Sequence, residues 1–217
     1  MNAYNVQMRD ELFFTLEAVR DDPDVRVAVI SGAGERAFCA GADLTEFGTA
    51  PSQVIARQVR WERDIWGLFL ALRKPLIAAM RGYVIGSGVE IACLCDIRIA
   101  ADDAQFALPE VALGMIPAAG GTQTLRRVVG ASRALEMVLS NRRIGAEEAR
   151  RIGLAHNVVP ADALMNEADE AAHRLAALNP TALALAKRAI LEGMDMPLAA
   201  GLELERRLVG QIQAVGA

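Results

Sequence analysis

This chain predicts an α/β fold, with parallel β/α units in its first half and a helical second half. Three observations carry that expectation. Short apolar runs such as Leu76-Ile77-Ala78-Ala79-Met80 read as buried strands. Helical periodicities alternate with those runs through the first half, as parallel pairing requires. From Gly120 onward the pattern is nearly all helical and rich in Ala, Leu and Arg.

The elements follow in order. Met8, Leu12, Leu16 and Val19 fall at helical spacing, so Val6 to Arg20 is the first helix, stopped by Asp21-Asp22-Pro23-Asp24. Val25 to Ser31 is a β-rich run ended by Gly32-Ala33-Gly34. Gln53 to Leu72, carrying Trp61, Trp66 and Phe69, reads as one long amphipathic helix. Pro75 to Met80 is a strand, followed by a turn around Gly82 and a helix from about Gly88 to Cys95. Ile97 to Ala100 and Gln105 to Ala107 are short strands. Breaks at Gly130-Ala131-Ser132, Gly145, Gly153, Asn179-Pro180 and Met196-Pro197 punctuate the helical half. With no internal repeat or low-complexity linker, a soft boundary falls near Pro160. It divides an α/β core over 1–160 from a helical region over 161–217.

Composition narrows the function classes. With 217 residues, 53% of them hydrophobic, the chain can build one large domain around a substantial core. Its apolar runs fall far short of the roughly 20 residues a membrane span needs, and the polar opening Met1 to Asp10 has no secretory pattern. A net charge of −4 gives no reason to expect nucleic acid or an anionic membrane as partner. Cys39, Cys93 and Cys95 are too few and too badly spaced for a disulfide framework or a zinc site. A reduced, cytoplasmic protein without a metal is expected. His156 and His173, both in the helical half, read as structural or surface residues.

Two glutamates draw attention. Glu90 closes Gly82-Tyr83-Val84-Ile85-Gly86-Ser87-Gly88-Val89-Glu90, and Glu110 follows Gln105-Phe106-Ala107-Leu108-Pro109. Both lie in apolar sequence, where an unpaired charge is costly. Glu90 falls in the first turn of its predicted helix, where the dipole alone favours a carboxylate; Glu110 alone reads equally as a loop acid. Ala40-Gly41-Ala42-Asp43 and Gly86-Ser87-Gly88 are small enough for a ligand to reach the backbone. Two N–H groups aimed at one oxygen would make an oxyanion hole. Asp43 has a plainer explanation as the cap of Leu44-Thr45-Glu46, and Ala118-Ala119-Gly120-Gly121-Thr122 adds another close-approach backbone. Gly32-Ala33-Gly34-Glu35-Arg36-Ala37 imitates a dinucleotide fingerprint. No helix opens there and no acidic residue ends a second strand downstream, so nicotinamide binding is not expected. Asp96, Asp102 and Asp103 read as turn and surface acids.

In combination, Phe38-Cys39-Ala40-Gly41-Ala42-Asp43-Leu44, the Gly82–Glu90 run, Cys95-Asp96-Ile97-Arg98-Ile99-Ala100 and Phe106 to Pro117 resemble the crotonase superfamily. The closest likeness is to enoyl-CoA hydratases. It extends through Gly145-Ala146-Glu147-Glu148-Ala149 and Ile152-Gly153-Leu154-Ala155 and covers nearly the whole chain. The resemblance implies a ββα spiral core with a C-terminal helical region that serves oligomerisation and covers the active site, in homotrimers or dimers of trimers. It implies hydration of a 2-trans-enoyl-CoA thioester, with coenzyme A entering as part of the substrate and no separate cofactor. By position, the N–H groups of Ala42 and Ser87 would hold the thioester oxygen. Ser87 stands where the family usually has glycine. Glu90 would activate water and Glu110 would protonate Cα. Ala40, Gly41, Asp43, Gly86, Trp66, Met115, Ile116, Pro117, Ala118 and Gly120 would line the substrate site. Family members usually carry further strand before the position of Asn2 and a further helical segment after the last residues here; those parts would help bind the nucleotide and cover the acyl pocket. Isomerase, hydrolase or lyase chemistry at the same hole, or a non-catalytic scaffold, are the alternatives.

Overall fold

The computed structural model describes residues 1–52, 54–55 and 62–215. Each turn of the chain lays one strand into each of two sheets. Helix α1 (Val6–Asp21) begins at Asn5, whose side chain accepts from the Met8 N–H. Strands β1 (Ala28–Ser31) and β2 (Ala37–Cys39) enter different sheets. Helix α2 (Ile65–Ala71), strands β3 (Leu76–Met80) and β4 (Tyr83–Ile85) and helix α3 (Ser87–Leu94) make the next turn. Strands β5 (Ile97–Ala101) and β6 (Gln105–Ala107) make a third, followed by α4 (Gly121–Val129) and α5 (Ala131–Ser140). Strand β7 (Ile144–Gly145), helix α6 (Ala146–Arg151) and strand β8 (Asn157–Val159) close the sheets. Helices α7 (Leu164–Ala176), α8 (Pro180–Gly193) and α9 (Leu198–Val215) follow.

One sheet has the order β1-β3-β5-β8 and is parallel throughout. The other runs β2-β4-β6-β7, parallel except for its last pair. The α/β class is therefore as expected. Strand β3 is buried along its whole length, which is why it is apolar at every position. Its alternate residues serve two cores. Ile77 and Ala79 join Ile99 and Ala101 beneath Leu164, Ala168 and Ala171 of α7, while Leu76, Ala78 and Met80 face the larger core with Phe106 and Leu125.

Gly82 makes the corner between β3 and β4. Its φ is +57°, and a Cβ there would stand 2.2 Å from the Arg36 carbonyl oxygen, so a side chain has no room. Asp103 accepts from the Gly82 N–H at 3.1 Å and fixes that corner.

Several boundaries differ from expectation. The strand predicted from Val25 begins at Ala28. Strands β2 and β4 occupy segments that read as turns, and β7 and β8 lie in the half that read as helical. Such two- and three-residue strands are too short to show a period. They exist through pairings such as Phe106 with Ile144 and Ala100 with Val158. The long helix predicted over Gln53 to Leu72 is interrupted: Asp64 has non-helical dihedrals, and its side chain caps α2 by accepting from the Gly67 N–H. Gln53 and residues 56–61, Trp61 among them, lie outside the described residues.

Asp96, expected at the surface, instead ties α8 to the sheet. Its Oδ2 accepts from the Leu76 N–H at 2.8 Å and from Lys187 Nζ at 2.8 Å. Asp96→Ala should cost about 2 kcal/mol, because it leaves a part-buried ammonium without its anion. A lower denaturant midpoint with unchanged slope would register it. His156 is structural, as expected: its Nδ1 accepts from the Arg98 N–H at 3.0 Å. Burial, and then the Arg98 charge, push its imidazole below the ordinary range.

Candidate active site

A cavity of about 550 Å³ opens between the first turn of α1, the loop after β2, the N-terminus of α3 and the loop after β6. Its size is that of a small-molecule site. It gathers Ala40, Gly41, Ala42, Asp43, Trp66, Gly86, Ser87, Glu90, Glu110, Met115, Ile116 and Ala118 along one wall system. Pro117 and Gly120 are not among its lining. Pro117 packs against Gly121, and Gly120 caps α4 with a φ of +91°. These two support the wall instead of facing the cavity.

Glu90 is buried at 3% exposure in the first turn of α3. Its Oε1 accepts from the Ala119 N–H at 3.1 Å and from the Gly121 N–H at 2.9 Å. Gly121 opens α4, so the positive end of that helix faces this carboxylate. The closeness requires glycine, since a Cβ on Gly121 would stand 2.8 Å from Glu90 Oε1.

Glu110 lies in a different environment. It opens a short 3-10 turn (Glu110–Leu113), and its Oε1 would stand 2.8 Å from a Cβ on Gly86. Its Oε2 is buried without a hydrogen bond to any described residue. Burial pushes the Glu110 carboxyl above the ordinary range. One acid is thus gripped by backbone donors, and the other is desolvated with an oxygen to spare.

Gly86 turns β4 into α3 with a φ of +54°, and a Cβ there would also stand 3.6 Å from Gly41 Cα. Gly86→Ala should strain the backbone by about 1–2 kcal/mol and displace Glu110. An activity loss of about tenfold or more in a protein that still melts cooperatively would show it. Neither the Ala42 N–H nor the Ser87 N–H donates to another described residue. Asp43 is the expected cap, its Oδ1 accepting from the Thr45 N–H at 3.0 Å.

None of the three cysteines is among the cavity lining. Burial pushes the Cys93 and Cys95 thiols up to about 12 and raises that of Cys39. Among the described residues, no group of three or more His, Cys, Asp or Glu side chains could hold a metal ion, and no helix is long and apolar enough to cross a membrane.

The family model for enoyl-CoA hydratase/isomerase matches residues 1–216. The chain belongs to the enoyl-CoA hydratase/isomerase family. Among its relatives, a 2,3-dehydroadipyl-CoA hydratase of Escherichia coli (strain K12) is 42% identical over 207 residues, 95% of this chain and 80% of the relative. A mitochondrial enoyl-CoA hydratase of Pongo abelii is 39% identical over 208 residues, 96% of this chain and 71% of the relative. The crystal structure of an enoyl-CoA hydratase from Bacillus anthracis superposes with a TM-score of 0.90 at 38% identity, covering 96% of this chain and 81% of that one. The crotonase-type fold expected of the family is thus the fold observed.

Several lining residues carried no signal in the sequence. Tyr4, Arg9, Phe47, Arg63 and Leu113 reach the cavity. Tyr4 arrives by backbone pairing, its N–H donating to the Gly41 carbonyl at 2.8 Å. Arg9 and Arg63 fall on helical or loop sequence that reads as solvated. Only the three-dimensional path of α1 past α2 brings them inward.

Proposed function

We propose that the protein adds water to a 2-trans-enoyl-CoA thioester to give a 3-hydroxyacyl-CoA. The observation that carries this is the pairing of two unlike carboxyl environments in one cavity. Hydration of a conjugated thioester needs a base for water, a proton for Cα and donors for the charge that gathers on the thioester oxygen. Glu90, held by the Ala119 and Gly121 N–H groups, serves as the base for water attacking Cβ. Glu110, whose burial favours the protonated form, delivers the proton to Cα. The Ala42 and Ser87 N–H groups hold the developing enolate oxygen. Coenzyme A is part of the substrate, and the reaction calls for no redox cofactor. Homotrimers or dimers of trimers are the assembly we propose.

An isomerase moving a double bond through the same enolate would use one carboxyl to carry a proton between carbons. The unlike settings of Glu90 and Glu110 favour hydration. A panel of 2-enoyl-CoA thioesters followed by loss of enone absorbance tests it, with Glu110→Gln as control. Turnover of at least one chain length by the wild type alone supports hydration; none at any length sinks it.

A further inference from the structure

Two arginines that hydration leaves unused line the same cavity. Arg9 stands on α1, and Arg63 lies just before the Asp64 cap, one turn ahead of Trp66. Asp10 is the acid between them. Its Oδ1 takes Arg9 Nη2 at 2.7 Å and Arg9 Nε at 2.8 Å, and Arg63 Nη1 stands back at 3.4 Å. Arg63 Nη1 is buried and, beyond its longer approach to Asp10, makes no hydrogen bond to any described residue. The Arg63 guanidinium lies over the Phe14 ring, its Cζ 5.0 Å from the ring centre.

Two further acids line the cavity, each already accepting from a neutral donor. Glu46 accepts from the Val6 N–H at 2.9 Å, and Asp43 accepts from Thr45. Trp66, Phe47 and Leu113 make the surroundings apolar. A neutral acyl chain brings Arg63 no acceptor. A carboxylate matches its planar fork of donors.

We propose that Arg63, backed by Arg9, receives a carboxylate at the far end of the acyl chain, so that the substrate class is a 2-enoyl thioester bearing a second, free carboxylate. The reaction named in that class rests on the hydratase assignment; the binding preference does not. Trp66, whose ring lies 5.8 Å from that of Tyr4, shares this lining with Arg63 and with the oxyanion donors.

Calorimetry with two unreactive saturated thioesters separates these claims. The probes are hexanoyl-CoA and the mono-CoA thioester of hexanedioic acid, with free coenzyme A as reference. Wild type should bind the carboxylate-bearing thioester about tenfold tighter than hexanoyl-CoA. Arg63→Met should erase that preference, weakening the carboxylate-bearing thioester far more than hexanoyl-CoA or free coenzyme A. Arg63→Lys, which keeps charge without the fork, should retain part of it. Equal wild-type affinities would overturn the proposal. So would an equal loss for all three ligands in Arg63→Met, since Arg63 would then serve the coenzyme A phosphates. A preserved preference without turnover of any enoyl thioester would overturn the hydratase assignment alone.

Discussion

Glu110→Gln is expected to lose hydration by about 10²- to 10⁴-fold, the usual worth of a positioned acid or base, while the folded protein becomes more stable near neutral pH. The two effects have one cause. Burial raises the Glu110 carboxyl above its ordinary range, and Oε2 has no hydrogen bond among the described residues. A carboxyl raised in the folded state binds its proton more tightly there than in the unfolded chain. Its contribution to stability is therefore complete below the ordinary carboxyl range and is lost as pH rises through the raised value. Glutamine carries no charge to desolvate and escapes that loss. The variant should match wild type in melting temperature near pH 4 and exceed it near pH 8, by roughly 2–4 °C for each kcal/mol recovered. Wild-type kcat/KM should fall as pH climbs through the same raised value, because the proton donor is being lost. Equal melting curves at every pH would contradict the desolvated setting of Glu110.

Glu90→Ala should behave in the opposite sense. Glu90 Oε1 is the acceptor for the Ala119 and Gly121 N–H groups. Truncation strips both donors of that partner beside the fully buried Val89 and Ala92. A loss on the order of 3 kcal/mol is expected, moderated where cavity water reaches the N–H groups. Glu90→Gln retains an oxygen acceptor and should keep most of the stability while losing hydration as severely as Glu110→Gln. Urea titrations of the three proteins would separate the roles. A Glu90→Ala protein as stable as wild type would show that the grip on this carboxylate carries no structural weight.

Legibility in the sequence followed the strength of local pattern. Strand β3 could be read because burial on both faces leaves it apolar throughout, and α1 because Leu12 and Leu16 repeat at helical spacing. Gly41, Gly86, Glu90 and Glu110 stood out as small residues and charges out of place in their surroundings. The cavity gathers all four. Strands β7 and β8 were invisible because their pairing partners lie 38 and 58 positions upstream in the chain, at Phe106 and Ala100. Asp96 read as a surface acid because Lys187, its partner, is 91 positions away. Arg9 and Arg63 escaped notice for a similar reason: an arginine on a polar stretch looks solvated until another element folds over it.

The central claim is that this cavity adds water across a double bond, and labelled water tests it most directly. Reaction of a 2-enoyl-CoA thioester in heavy-oxygen water should yield an intact thioester carrying one heavy oxygen at Cβ. Glu90→Gln and Glu110→Gln should each reduce that product by about 10²-fold or more. An isomerised thioester without the label, a free acid labelled at its carboxyl group, or unimpaired labelling by either variant would contradict the account.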